Sequence, residues 1–200
     1  MTQAIPKITT FEDFLDWKPD RRYELYEGII VKIQPTGRHE EITGFLTTEL
    51  AVEYKKLKLP YFIPNALVKL EKQSAYSPDV LILNRPALKD ESLWEKYSTV
   101  QTAASIPLVI EVISTNWRDD YLTKLRDYEE IGIQEYWIVD YLALGGRRYI
   151  GNPKQPTISI YQLVDGEYQV SRFKEGDRLN SIVFPDLDLT VDLVFQAGIN

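Results

Sequence analysis

Apolar residues recur with a helical period between Glu40 and Pro60. Ile42, Phe45, Leu46, Leu50, Val52, Tyr54 and Leu57 predict one amphipathic helix that stops before Pro60. Other stretches carry the shorter signature of strands. Residues 23–33 place Tyr23 and Leu25 ahead of a Glu27-Gly28 turn and an apolar run behind it, a hairpin that Pro35 to Gly37 breaks. Residues 66–70 and 80–83 read as strands with Ser77-Pro78-Asp79 between them, while 84–106 shows no clear period. Residues 107–113 are apolar apart from one acid, as expected of a central strand buried on both faces. Ser114, Thr115 and Asn116 offer capping side chains for a helix from about Trp117 to Ile131, ended by Gly132. A strand over 135–141 follows, then a hairpin made of 157–164, an Asp165-Gly166 turn and 168–173. Extended edge pieces are expected over 177–194, and a short helix opens at a Thr9-Thr10 capping box and runs to Trp17 before Pro19. Strands with two longer helices predict an α/β or α+β arrangement in one domain, residues 1–200.

Composition narrows the chemistry. The chain has 200 residues, no cysteine and a net charge of -7. Disulfides and thiolate metal sites are excluded. No Lys/Arg block is present, only pairs such as Arg21-Arg22 and Arg147-Arg148, so strong non-specific gripping of nucleic acid is not expected. An enzyme that brings nucleic acid to clustered acids stays open, because a metal ion offsets local negative charge. The apolar runs 80–83 and 107–113 are too short to span a bilayer, and residues 1–10 carry no apolar signal core, so a cytoplasmic protein is expected.

One carboxylate, Glu111, interrupts the strand Leu-Val-Ile-Glu-Val-Ile, and burying it alone is costly. It needs a cation, a hydrogen-bond network or a metal. Asp79 sits likewise at the mouth of an apolar strand. Two acids at neighbouring strand ends can share a hard cation, or each can be solvated or ion-paired. Asp120, Lys124 and Tyr128 lie four apart on the helix after the Glu111 strand, either as an exposed ion pair or as a face returning over the strand end. His39, the single histidine, reads more readily as a structural or surface residue than as a ligand.

These residues resemble a known group. Pro78-Asp79, Glu111-Val112-Ile113-Ser114, Asp120, Lys124, Tyr128, Gly132 and Glu135 to Asp140 are similar to the pattern of the Uma-type family of restriction endonucleases. That family belongs to the PD-(D/E)XK superfamily. Arg22-Tyr23-Glu24-Leu25, Glu27-Gly28 and His39 match the same pattern, and the resemblance covers roughly residues 10 to 195. It implies an α/β, restriction-endonuclease-like mixed central sheet flanked by helices, with extra hairpins at both ends. It implies Mg²⁺ or Mn²⁺ on Asp79 and Glu111, Lys124 and a possible additional acid Glu24 as catalytic groups, and Asp120 and Tyr128 holding Lys124. Ile113 stands where the superfamily carries its lysine, so Lys124 must come within a water's reach of both acids from the next helix; Lys69 and Lys72 are rivals. The implied activity is a metal-dependent DNA endonuclease, working as a homodimer with one site per strand. The alternative is an interaction domain that keeps the fold with little or no activity.

Overall fold

The computed structural model describes residues 10–17, 23–71 and 73–197; Thr9, Pro19, Arg22 and Lys72 lie outside them. In chain order the elements are α1 (Phe11–Trp17), β1 (Tyr23–Tyr26), β2 (Ile29–Lys32), α2 (Gly37–Lys56), β3 (Tyr61–Phe62), β4 (Leu67–Leu70), β5 (Ser74–Tyr76), β6 (Val80–Asn84), α3 (Trp94–Tyr97), β7 (Thr99–Val100), β8 (Leu108–Val112), α4 (Leu125–Glu130), β9 (Glu135–Asp140), α5 (Arg147–Ile150), β10 (Thr157–Val164), β11 (Glu167–Phe173) and α6 (Val191–Gln196). The stretch without a sequence period, 84–106, holds 3-10 turns over Arg85–Asp90 and Ala103–Ser105 around α3 and β7.

Local chemistry sets the turns and helix ends. Both two-residue hairpin turns have positive φ at each position, 44° and 78° at Glu27-Gly28 and 52° and 88° at Asp165-Gly166. That is the type I′ geometry whose twist matches the flanking strands. Thr10 Oγ1 accepts from Asp13 N at the start of α1. Thr36 caps α2 by accepting from His39 N, so this helix begins at Gly37, one turn before the first apolar residue of its stripe. After α4, Gly132 takes φ 83°, Gly132 N donates to Glu129 O and Ile133 N to Tyr128 O. Those two bonds satisfy carbonyls that the helix end leaves free.

The strands form two mixed sheets, β11-β10-β9-β8-β6-β3 and β2-β1-β5-β4-β7. β8 is central in the first, parallel to β9 and antiparallel to β6, and every residue in it is buried. Alternation along β6 and β8 sorts two cores. Val80, Ile82, Leu108, Ile110 and Val112 pack with Ile42, Leu46 and Leu50 of α2 and with Val194 of α6. Leu81, Leu83, Val109 and Ile113 face the second sheet, through Val68, Leu70 and Tyr76, and the helix that carries Tyr121 and Tyr128. A third cluster, Phe11, Phe14, Leu25, Leu67 and Ala75, lays α1 on the outer face of the second sheet. Among the described residues no helix is long and apolar enough to cross a membrane.

The architecture departs from the sequence reading in four places. The N-terminal hairpin does not extend the central sheet; with β4, β5 and β7 it builds a sheet of its own. β3 and β5, two and three residues long, were invisible to periodicity because so short a run has none. Val52 is 58% exposed, so it lies off the buried stripe of α2. Residues 177–194 are not sheet edges: they contain one isolated bridge, Arg178 to Thr190, and Thr190 then caps α6 by accepting from Leu193 N.

That C-terminal segment is held by a buried acid. Glu135 is fully buried, and its carboxylate accepts from Trp137 Nε1 (2.7 Å), Ser181 Oγ (2.6 Å), Ile182 N (2.7 Å) and Gln162 Nε2 (3.3 Å). Burial pushes its pKa up, and these donors work against the rise. Glu135→Ala strands the buried donors, so it should cost about 3 kcal/mol or more in urea unfolding, with Glu135→Gln costing less. A loss well under about 1 kcal/mol would show that other contacts hold the segment.

Candidate active site

The strand register places the two acids. Val80 pairs with Ile110 and Leu81 with Val109, and this antiparallel pairing continued by one residue sets Asp79 opposite Glu111. Both side chains share the face that Leu81 and Val109 present to the second sheet. Asp79 Oδ2 accepts from Val112 N at 2.7 Å, which ties the acid to the neighbouring strand end. The same oxygen meets His39 Nε2 at 3.1 Å, delivered from the first turn of α2. Among the described residues no hydrogen bond reaches Asp79 Oδ1.

Glu24 comes from the other sheet. Leu25 points to α1, so the alternating residue Glu24 points inward. Its Oε1 accepts from Ser77 N (2.9 Å) and from Lys124 Nζ (3.1 Å). Lys124 also donates to Glu111 Oε1 (3.0 Å) and lies 3.5 Å from Asp120 Oδ1. The displaced lysine therefore arrives beside Glu111, as the resemblance requires, while Asp79 lines the same cavity without touching it. Tyr128 differs from expectation: its hydroxyl donates to Glu111 Oε1 (3.0 Å) and not to the lysine. Lys69, the described rival, instead lies over the Phe11 ring on the outer sheet face.

The helix achieves this convergence with a π turn, Asp119–Lys124, running directly into α4. Asp120, Tyr121 and Lys124 are all buried in this turn. Tyr136 Oη donates to Asp120 O (3.1 Å) within this turn.

Electrostatically the site is overloaded with acid. Glu24, Asp79, Glu111 and Asp120 line one cavity with Lys124 and His39. Burial pushes Glu111 well above the usual carboxylate range; Lys124 opposes the rise, and Asp79, Asp120 and Glu24 add to it. Burial likewise pushes Asp120 up to about 7, again against the pull of Lys124. Lys124 loses solvation too, yet Glu111, Glu24 and Asp120 outweigh that loss and hold its pKa well above the ordinary lysine value. The same contest raises His39, where the bond and charge of Asp79 exceed the effect of burial.

The cavity measures about 160 Å³, and Lys32, Gln34, Ser114, Thr115, Asn116 and Asp119 complete its walls. Among the described residues no three acids or histidines are already gathered around one point as metal ligands. The donor set still suits Mg²⁺ or Mn²⁺. It is all oxygen, carries excess negative charge, and presents two acids, with coordination left for water and phosphate as Mg²⁺ prefers. Sequence reasoning left His39 open and took Ser114 to Asn116 as helix caps. The signal for His39 was its place on the buried stripe His39, Ile42, Leu46, Leu50, Glu53, one turn before the first apolar member.

The sequence matches the model of the Uma2 family, described as "Putative restriction endonuclease", over residues 11–192. A crystal structure titled as a "putative nuclease belonging to DUF820" from Anabaena variabilis ATCC 29413 has a TM-score of 0.72 and 18% identity, covering 94% of this chain and 98% of that one. At that identity the likeness is one of fold. No curated protein matches the chain. The family match spans every residue that builds the cavity, from Glu24 to Lys124, and the chain belongs to the Uma2 family.

Proposed function

We propose that this protein is a divalent-cation-dependent nuclease that hydrolyses DNA phosphodiester bonds at the cavity of Asp79, Glu111 and Lys124. The observation that carries this reading is a cavity in which Glu24, Glu111 and Asp120 surround the buried Lys124 ammonium while Asp79 lines the same wall. Asp79 and Glu111 would hold Mg²⁺ or Mn²⁺, which supplies Lewis acidity toward the phosphate and lowers the pKa of a bound water. Lys124 orients the attacking water and offsets charge developing on the phosphorus oxygens. Glu24 and Asp120 fix the ammonium from two sides, Tyr128 fixes Glu111, and His39 fixes Asp79 Oδ2.

A second reading has its own observation. Lys124 already pairs with Glu111 at 3.0 Å, so the cluster can be a closed ion network in an inactive interaction domain. Calorimetry separates the two, since a network that is complete by itself takes up no Mg²⁺ or Mn²⁺.

Cleavage of labelled DNA should require Mg²⁺ or Mn²⁺ and fall by about 10²-fold or more in Glu111→Gln and in Lys124→Met. Lys124 is only 8% exposed and bridges three acids, so its removal also unbalances the fold; Lys124→Arg serves as the charge-preserving control. His39→Ala should shift the metal concentration for half-maximal rate by about 10- to 100-fold, the usual effect of losing a group that orients a ligand. Equal cleavage by wild type and Glu111→Gln would reject the assignment.

Stability should follow pH in a definite sense. Folding raises the pKa of Asp120, Glu111 and His39, so the folded state holds more protons than the unfolded chain in the window that ends, for Asp120, at about 7. Stability is then greatest below the ordinary carboxylate pKa and is lost as pH rises through this window. In chelator, thermal unfolding should move down as pH rises from about 5 to about 8, and Mg²⁺ should restore more at the upper end, where fewer protons compete. A metal-free protein whose melting temperature climbs over that range would contradict the proposed charge state.

A further inference from the structure

Two surface features open on the cavity and take no part in the chemistry above. One is a polar groove of about 810 Å³ that shares Lys32, Gln34 and Asp79 with the cavity and continues past Thr43, Thr47 and Asn65. The other is the rim on which Ser114, Thr115, Asn116 and Asp119 lie. Between those rim residues come Trp117 and Arg118. The Trp117 ring meets Tyr149 at 6.3 Å, and Tyr149 stacks on buried Tyr121 at 4.6 Å and 24°. The Arg118 guanidinium lies 4.8 Å from the Trp117 ring centre, and that of Arg148 4.5 Å from the Tyr149 ring centre. Arg118, Arg147 and Arg148 are exposed, and among the described residues none of them forms an ion pair with an acid.

The arrangement is built from beneath. Asp140, fully buried at the end of β9, accepts from Leu144 N (2.9 Å) and Gly145 N (2.7 Å) and so shapes the turn that leads into α5. A Cβ at Gly145 would come within 2.9 Å of Asp140 Oδ2 and 3.0 Å of the Tyr121 ring. One at Gly146 would come within 3.3 Å of the Trp117 ring. The two glycines let the Arg147-Arg148-Tyr149 turn lie against Trp117.

Guanidinium groups that pair with no acid and lie beside aromatic rings are complementary to a phosphodiester backbone and to unstacked bases. In a chain of net charge -7, Arg118 follows the cavity-lining Ser114, Thr115 and Asn116 and precedes Asp119, and the Trp117–Tyr149 contact brings the Arg147-Arg148 turn beside it. The groups at the cavity floor are buried: Glu111 is 3% exposed and Lys124 8%. A flexible single strand can turn a phosphate toward these groups and lay an unstacked base on a ring at the same time, whereas the bases of a duplex are already paired and stacked. We infer that the substrate of this site is single-stranded nucleic acid. Its backbone crosses Arg118, Arg147 and Arg148, a base lies against the Trp117–Tyr149 rings, and the strand continues into the polar groove. The inference rests on reading the cavity as a nuclease site.

Binding measured by fluorescence anisotropy in chelator tests it without any chemistry. The probes are a labelled DNA oligonucleotide, its RNA counterpart and its duplex, titrated at several salt concentrations with the whole chain. Single strands of either sugar should bind about tenfold or more tighter than duplex. Trp117→Leu should weaken single-strand binding by about tenfold. The double variant Arg147→Glu/Arg148→Glu, confined to exposed side chains, should weaken it further and flatten the logarithmic salt slope by about 1.4, two phosphate contacts at about 0.7 each. Absence of single-strand binding, equal affinity for duplex, or unchanged affinity and salt slope in the double variant overturns the inference. Single-strand binding with this profile but no cleavage with Mg²⁺ or Mn²⁺ removes the nuclease reading and with it the substrate assignment, and leaves the arginine and aromatic patch as a single-strand binding surface. Cleavage of duplex that both variants leave unchanged keeps the nuclease reading and overturns the inference.

Discussion

The arrangement of the whole site follows from the burial of one ammonium group. Lys124 loses nearly all its solvation, and a charge without compensation there would be untenable. Glu111, Glu24 and Asp120 compensate it, and each comes from a different part of the fold: the central strand of one sheet, an inner strand of the other, and the π turn of the helix between. The lysine thus cross-links three layers. Any shift of the second sheet against the first moves Glu24 away from Lys124 and weakens the group that Glu111 depends on.

The compensation is lopsided, and that is what distinguishes a site from a structural pair. The second buried acid on the same sheet makes the contrast. Glu135 is as deeply buried as Glu111, but among the described residues four neutral donors satisfy it, and it closes a loop onto the sheet. Glu111 has two donors, Lys124 and Tyr128, and three further acids raise its cost of ionisation. Electrostatic strain of that kind is relieved by adding a cation, and it is concentrated where the cavity opens to solvent. Asp79 Oδ2 is held by His39 and the Val112 amide, which fixes its orientation, and among the described residues no hydrogen bond reaches Oδ1.

Much of this was legible in the residues alone, for a physical reason that applies to each case. An acid inside an apolar strand is costly wherever the strand lies, so Glu111 and Asp79 stood out before any fold was known. The hairpin turns were legible because Glu27-Gly28 and Asp165-Gly166 tolerate positive φ, a local property. The long helices were legible from their period, whereas the part of Lys124 as a displaced lysine was implied only by the family resemblance.

What the tertiary structure decided was everything that depends on distance across the chain. Periodicity cannot report two- and three-residue strands, so the second sheet, and with it the inward direction of Glu24, came from packing alone. The π turn over Asp119–Lys124 was not visible in the residues, because helical spacing there does not separate a π turn from an α turn. His39 reads the same in sequence whether it fills a core or holds an acid; only the register of β6 against β8 brings Asp79 under it. Local propensities and burial costs are properties of short segments and are written in the residues. The meeting of Glu24, His39, Asp79, Glu111 and Lys124 is a property of how two sheets and two helices close on one another, and only the folded chain determines it.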